Sequence, residues 1–124
     1  MGRRQRRRSR DQEAAVGPAS SATTDYADTE GNVLTLRDEL SPRTIAKLGK
    51  LDARAAESVE DRYQRREEFL FERLVVRWEI AGLPLESQKE LLGRYRMASA
   101  EERRFVRETL EAHLARIAPD APAP

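Results

Sequence analysis

The chain has 124 residues, 39% of them hydrophobic and 36% charged, with a formal net charge of +1, a length that supports one small domain. It contains no cysteine and a single histidine, which excludes disulfides, thiolate metal sites and a His-pair metal centre and fits a reducing, cytoplasmic setting. No run approaches the roughly 18 apolar residues of a membrane span, and an aromatic content of 6% points to a helical body rather than a β-sandwich.

The near-neutral total hides a split. Arg3, Arg4, Arg6, Arg7, Arg8 and Arg10 all precede the first acid, Asp11. Removing those six from 23 basic residues leaves 17 against 22 acids, so residues 11–124 carry −5. No apolar segment follows the arginines, so the tip does not read as a secretory or twin-arginine signal. Residues 1–32, which include "AVGPASSATTDYADTEGN", are expected to be a disordered arm, because ordering them costs entropy and buries little. The six arginines suit either nucleic-acid phosphates, through counterion release, or a purely electrostatic tether. No aromatic is interleaved with them to stack on bases.

Residues 33–117 are expected to form a helical domain, opening with a short extended segment in "NVLTLRDEL". In "SPRTIAKLGKL" Ser41 reads as an N-cap and Pro42 as the first helical residue, where its missing amide costs nothing. The longest predicted helix runs over 59–81. Ser58 and Asp61 start it as a capping-box variant, and Gly82 and Pro84 stop it. Ser87 with Glu90, and Ser99 with Glu102, mark two further helix starts at capping-box spacing. Residues 118–124, "APDAPAP", read as a disordered Pro/Ala tail, since proline cannot continue a helix. The fold expected is all-α, a small bundle of about four helices with a short extended segment ahead of the first and disordered termini.

On a helical wheel, Val59, Tyr63, Leu70, Leu74, Trp78 and Ala81 give the long helix one wide apolar face, broadened by Phe71 and Val75. Phe69, Val76 and Ile80 form a second stripe, with Arg66, Arg73 and Arg77 as a seam between the two. Such a helix is either buried by neighbours on both sides, with its arginines snorkelling, or keeps one stripe for another chain. The residues expected to touch a partner are Phe69, Arg73, Val76, Arg77 and Ile80. Trp78 reads as a core anchor and His113 as a hydrogen-bonded, partly buried side chain of the last helix rather than a base. Asp61–Arg65, Glu90–Arg94 and Arg107–Glu111 have the spacing of surface helix pairs. There is no Gly-rich phosphate loop, no G-x-S-x-G, no H-E-x-x-H and no EF-hand loop. No catalytic residue, cofactor or metal ligand is therefore expected. A helix-turn-helix near "MAS" is disfavoured because Glu101 and Glu102 would lead the recognition helix into phosphates.

The stretches "LTLRDELSPRTIAKLGKL", "FERLVVRWEIAGLPLESQKEL" and "RRFVRETLEAHL" resemble, in order, the opening segment and first helix, the long helix ending near a Trp, and the closing helix of the tail assembly chaperones of tailed phages and prophage-like elements. The resemblance covers the body and not the arginine arm. It implies a non-enzymatic protein that shields an extended helical client during assembly, which suits an apolar stripe with helix-in-groove anchors. The expected function is thus non-enzymatic binding or assembly, with a protein client or a second copy engaged by the long helix. The alternative is a nucleic-acid-associated protein acting through Arg3, Arg4, Arg6, Arg7, Arg8 and Arg10.

Overall fold

A computed structural model describes residues 22–52 and 58–123. Among these residues there are four helices, but also a four-stranded antiparallel sheet, and the expected all-α bundle is wrong. In chain order the elements are β1 (Thr23–Ala27), β2 (Val33–Arg37), α1 (Pro42–Asp52), α2 (Val59–Leu74), β3 (Val75–Ile80), β4 (Leu83–Leu85), α3 (Gln88–Arg96) and α4 (Ala100–Ile117). The strands lie side by side as β1-β2-β3-β4, with α1 and α2 inserted between β2 and β3.

β1 falls inside the segment expected to be disordered, and the next five residues explain why it forms. The Asp28 carboxylate accepts from the amides of Glu30 and Asn32, at 2.8 and 3.0 Å, and from the Asn32 side-chain amide at 3.2 Å. Gly31 supplies the positive φ, 84°, that closes the reversal. Thr24 and Tyr26 then alternate inward against Leu36 and Leu34.

The largest correction concerns the predicted long helix, which stops at Leu74. Val75, with φ −77° and ψ 124°, is already extended. From there "VVRWEI" supplies two valines, a tryptophan and an isoleucine, which favour a pleated, half-buried strand. The strand was disguised by a β-bulge. Val75 pairs with Leu36 and Arg77 with Thr35, leaving Val76 as the extra residue. The bulge lets Val75 and Trp78 share the buried face three residues apart, the spacing a helix would give. Gly82 does take a left-handed conformation, not as a helix C-cap but in a two-residue hairpin turn with Ala81, at φ 80° and 52°. Positive φ at both positions is the type I′ geometry that matches strand twist.

One face of the sheet, carrying Leu34, Leu36, Val75 and Trp78, merges with Leu48, Leu70, Phe71, Leu74, Leu91, Tyr95, Val106, Leu110 and Leu114 of the helices in a single core. Phe71 is the hub, stacked on Tyr95 at 4.7 Å and edge-on to Trp78 at 5.9 Å. The other face is polar: Asp25, Thr35, Arg77 and Glu79 lie there by register, and the Thr35 hydroxyl donates to Asp25 at 2.7 Å. All four helix starts use the serine read from sequence. Ser41, Ser58, Ser87 and Ser99 each accept from the amide three residues on, and Ser99 with Glu102 makes the full reciprocal capping box. The expected disordered tail is also corrected through residue 123. Ala118 and Ala121 pack against the core, and the Pro122 carbonyl accepts from Arg66 at 2.8 Å.

Candidate functional site

The six arginines of the expected phosphate-binding arm, Arg3, Arg4, Arg6, Arg7, Arg8 and Arg10, lie outside the described residues. The five residues expected to touch a partner do not share one surface. Phe69 and Arg73 are neighbours on α2, with the guanidinium 4.9 Å above the ring. Val76 is the bulge residue of β3. Arg77 and Ile80 point to opposite faces of the sheet, Arg77 beside Glu79 and Glu86, Ile80 toward the core. The stripe needed a helix continuous through residue 80, and the strand removes it. The arginine seam fails likewise. Arg66 is not a snorkelling side chain but is 2% exposed, held by both carboxylate oxygens of Glu111 at 2.6 and 3.0 Å. Two of the arginines and acids read as surface i, i+4 partners pair across elements: Arg94 donates to Glu102 at 2.6 Å, and Glu111 serves Arg66.

His113 is fully buried at the meeting of α4, β1 and β2. Its Nε2 lies 2.9 Å from the Arg37 carbonyl oxygen, which can only accept, so Nε2 carries the hydrogen. Nδ1 is then the acceptor for the Tyr26 hydroxyl at 2.7 Å in the neutral ring, with the Arg116 guanidinium 3.4 Å away on the same side. Asp38 stands 3.5 Å from both Nε2 and Arg116 and accepts from Thr24 at 2.6 Å. With both ring nitrogens occupied by the fold, this arrangement fastens edge strand β1 to α4 and offers no free nitrogen to a substrate.

A second polar cluster lies between α2, α3 and α4. Glu67 is 6% exposed. Burial pushes its carboxyl above the ordinary value, against the hydrogen bond from Tyr95 and the charges of Arg107 and Arg103. Burial and the Glu67 carboxylate in turn hold the Tyr95 phenol well above its ordinary range, so it stays a donor. One Glu67 oxygen, Oε2, has no hydrogen-bond partner.

Two clefts open on the surface. One, of about 510 Å³, lies between the β1–β2 turn and the start of α4 and is lined by Asp28, Glu30, Glu101, Phe105 and Glu108 among others. The other, about 710 Å³, lies between the β2–α1 connection and the end of α2, with Arg37, Glu39, Leu40, Glu72, Arg73 and Ile117 on its walls. Of the expected partner residues, Arg73 alone lines either. Outside the core, Val59, Tyr63, Leu83 and Met97 are large apolar side chains left exposed, at 57%, 48%, 70% and 79%. Val59 and Tyr63 stand one helical turn apart on α2, and the wheel had placed them on its wide apolar face. Among the described residues no group of His, Cys, Asp and Glu could hold a metal ion, and no helix is long and apolar enough to cross a membrane. No protein-family model, curated protein or solved structure matches the chain.

Proposed function

We propose that the chain is a non-catalytic protein-binding or assembly module whose contact surface is centred on Val59 and Tyr63 at the start of α2. The observation that carries this reading is the exposure of those two side chains, one turn apart, in a domain small enough to need its apolar surface for the core. Aromatic and aliphatic anchors at that spacing are what a helix presents to a groove, and tyrosine is enriched at binding hot spots. The resemblance to tail assembly chaperones supplies the assembly part of the reading. It rests on the stretches around α1 and α4, since the stretch compared with a long helix, 71–91, is the end of α2, a strand, a turn, a second strand and the start of α3.

Photo-crosslinking tests it. A benzophenone side chain placed at position 63 of the full chain should yield a discrete adduct, with a partner or with a second copy. The same group at the exposed Glu72 should not, and Val59→Glu should remove the adduct without lowering thermal stability. A chain that sediments as a monomer and gives no adduct from position 63 overturns the proposal.

A second reading, nucleic-acid association, is favoured by the six-arginine tip alone. The open sheet face carries Asp25, Thr35, Arg77 and Glu79 and no aromatic for base stacking, which assigns any such contact to the arm. Deleting residues 1–10 should then abolish a salt-dependent affinity for DNA or RNA; an affinity that survives the deletion excludes the arm.

A further inference from the structure

The two buried charges that follow one another on α2 are treated differently. Arg66 meets both oxygens of Glu111 and the Pro122 carbonyl, so its charge is answered. Glu67 is nearly as deeply buried, yet the cation paired with it is the half-exposed Arg107, 3.8 Å from Oε1 and beyond hydrogen-bond reach. The groups that face it are Gln64 and Glu68 from its own helix, Tyr95 from α3, and Arg103 and Arg107 from α4. Between them runs a relay. Arg103 donates to the Gln64 carbonyl at 3.1 Å, the Gln64 amide donates to the Tyr95 oxygen at 3.2 Å, and the Tyr95 hydroxyl is left to donate to Glu67. The relay ends on a carboxylate whose second oxygen has nothing to accept. A buried carboxylate with too few donors is relieved by taking up a proton rather than by keeping its charge.

We infer that Glu67 is a proton-binding site built into the α2–α3–α4 junction, and that loading it tightens the packing of α3 and α4 on α2. The direction follows from burial raising the carboxyl above its ordinary value of 4.5. The folded chain then holds a proton that the unfolded chain has already released, so Glu67's contribution to stability falls as pH rises between the unfolded and folded values. Above that window the ionised carboxylate is a standing cost.

Urea unfolding of the full chain, wild type against Glu67→Gln, across about pH 4 to 7.5, reads this directly. The amide keeps the shape and carries no charge. Glu67→Gln should unfold at a higher urea concentration than wild type at the upper end, with the gap closing as pH falls. Glu72→Gln, on the same helix but exposed and not among the groups that face Glu67, should leave the pH dependence unchanged. A Glu67→Gln midpoint at or below wild type near neutrality, or a gap that does not vary with pH, overturns the inference. Carbon-13 NMR of the wild-type Glu67 carboxyl is an independent arm. A midpoint above 4.5 supports the assignment, and one at or below it overturns it.

Discussion

At the residue scale, His113 and Tyr26 act as one unit. His113→Ala removes a fully buried ring and leaves both the Tyr26 hydroxyl and the Arg37 carbonyl without partners. The loss should be about 3 kcal/mol in chemical denaturation. Tyr26→Phe should cost about 1 kcal/mol, and less than that in the His113→Ala background, because the two share a hydrogen bond; additive losses in a double-mutant cycle would dissolve the pair. Ala81 offers the opposite kind of change. It is the one described non-glycine residue with positive φ, a conformation that costs an alanine roughly 1 kcal/mol through its Cβ. Asn tolerates that region, and Ala81→Asn creates the Asn-Gly pair that type I′ turns favour. The variant should therefore be more stable by up to about 1 kcal/mol, visible as a raised melting temperature. That strained alanine was invisible from sequence, where Ala81 read as the last residue of a helix.

At the scale of elements, helix starts were legible, and of the strands only β2 was, as the short extended segment expected in "NVLTLRDEL". The serine caps are written locally, in side chains that reach an amide three residues away, so each of the four could be read without knowing the fold. Ser99→Ala should cost about 1 kcal/mol. Its partner Glu102 is held below the ordinary carboxylate value by the Arg94 hydrogen bond and by the Ser99 amide. A depressed acid stabilises above its unfolded value and loses that effect as pH falls through its folded one. Glu102→Gln should thus be destabilising near neutrality and harmless in strong acid, the reverse of Glu67→Gln. Strands, by contrast, depend on partners distant in sequence. β3 is central, flanked by β2 and β4, and its bulge imitates helical spacing. β1 is short, and its Thr, Asp and Ala composition suggested a disordered linker. Only the "DTEGN" turn between "TTDYA" and "VLTLR" carried a hairpin signal, and the low aromatic content argued against reading it. The candidate binding surface suffered the same way. Once β3 replaces the end of the helix, Phe69, Arg77 and Ile80 part company, while Val59 and Tyr63, read as part of the wide apolar face, stand exposed.

For the whole molecule, the core is drawn from every described helix and from β2 and β3, and the first and last described segments are both fastened to it. β1 is fastened to α4 through His113, while the tail is fastened to α2 through Arg66. Ending the chain after Ala118 strips a carbonyl from a buried guanidinium and uncovers apolar surface beside it. The loss should be about 1–2 kcal/mol, measured by urea unfolding; an unchanged midpoint would show that the tail merely rests there. The two titrating acids contribute slopes of opposite sign, Glu67 above the ordinary carboxylate value and Glu102 below it. Combining Glu67→Gln with Glu102→Gln should flatten the stability profile relative to either single variant.

The direct passage from Leu74 to Val75, with no loop between α2 and β3, makes these two elements one mechanical member. Slipping a single residue into that joint would turn the helix by about 100° relative to the strand and present the wrong side of every β3 residue to the core. Neither half can be re-aimed alone. Natural or engineered length variation should therefore collect elsewhere along the chain, and this seam should tolerate substitution far better than insertion.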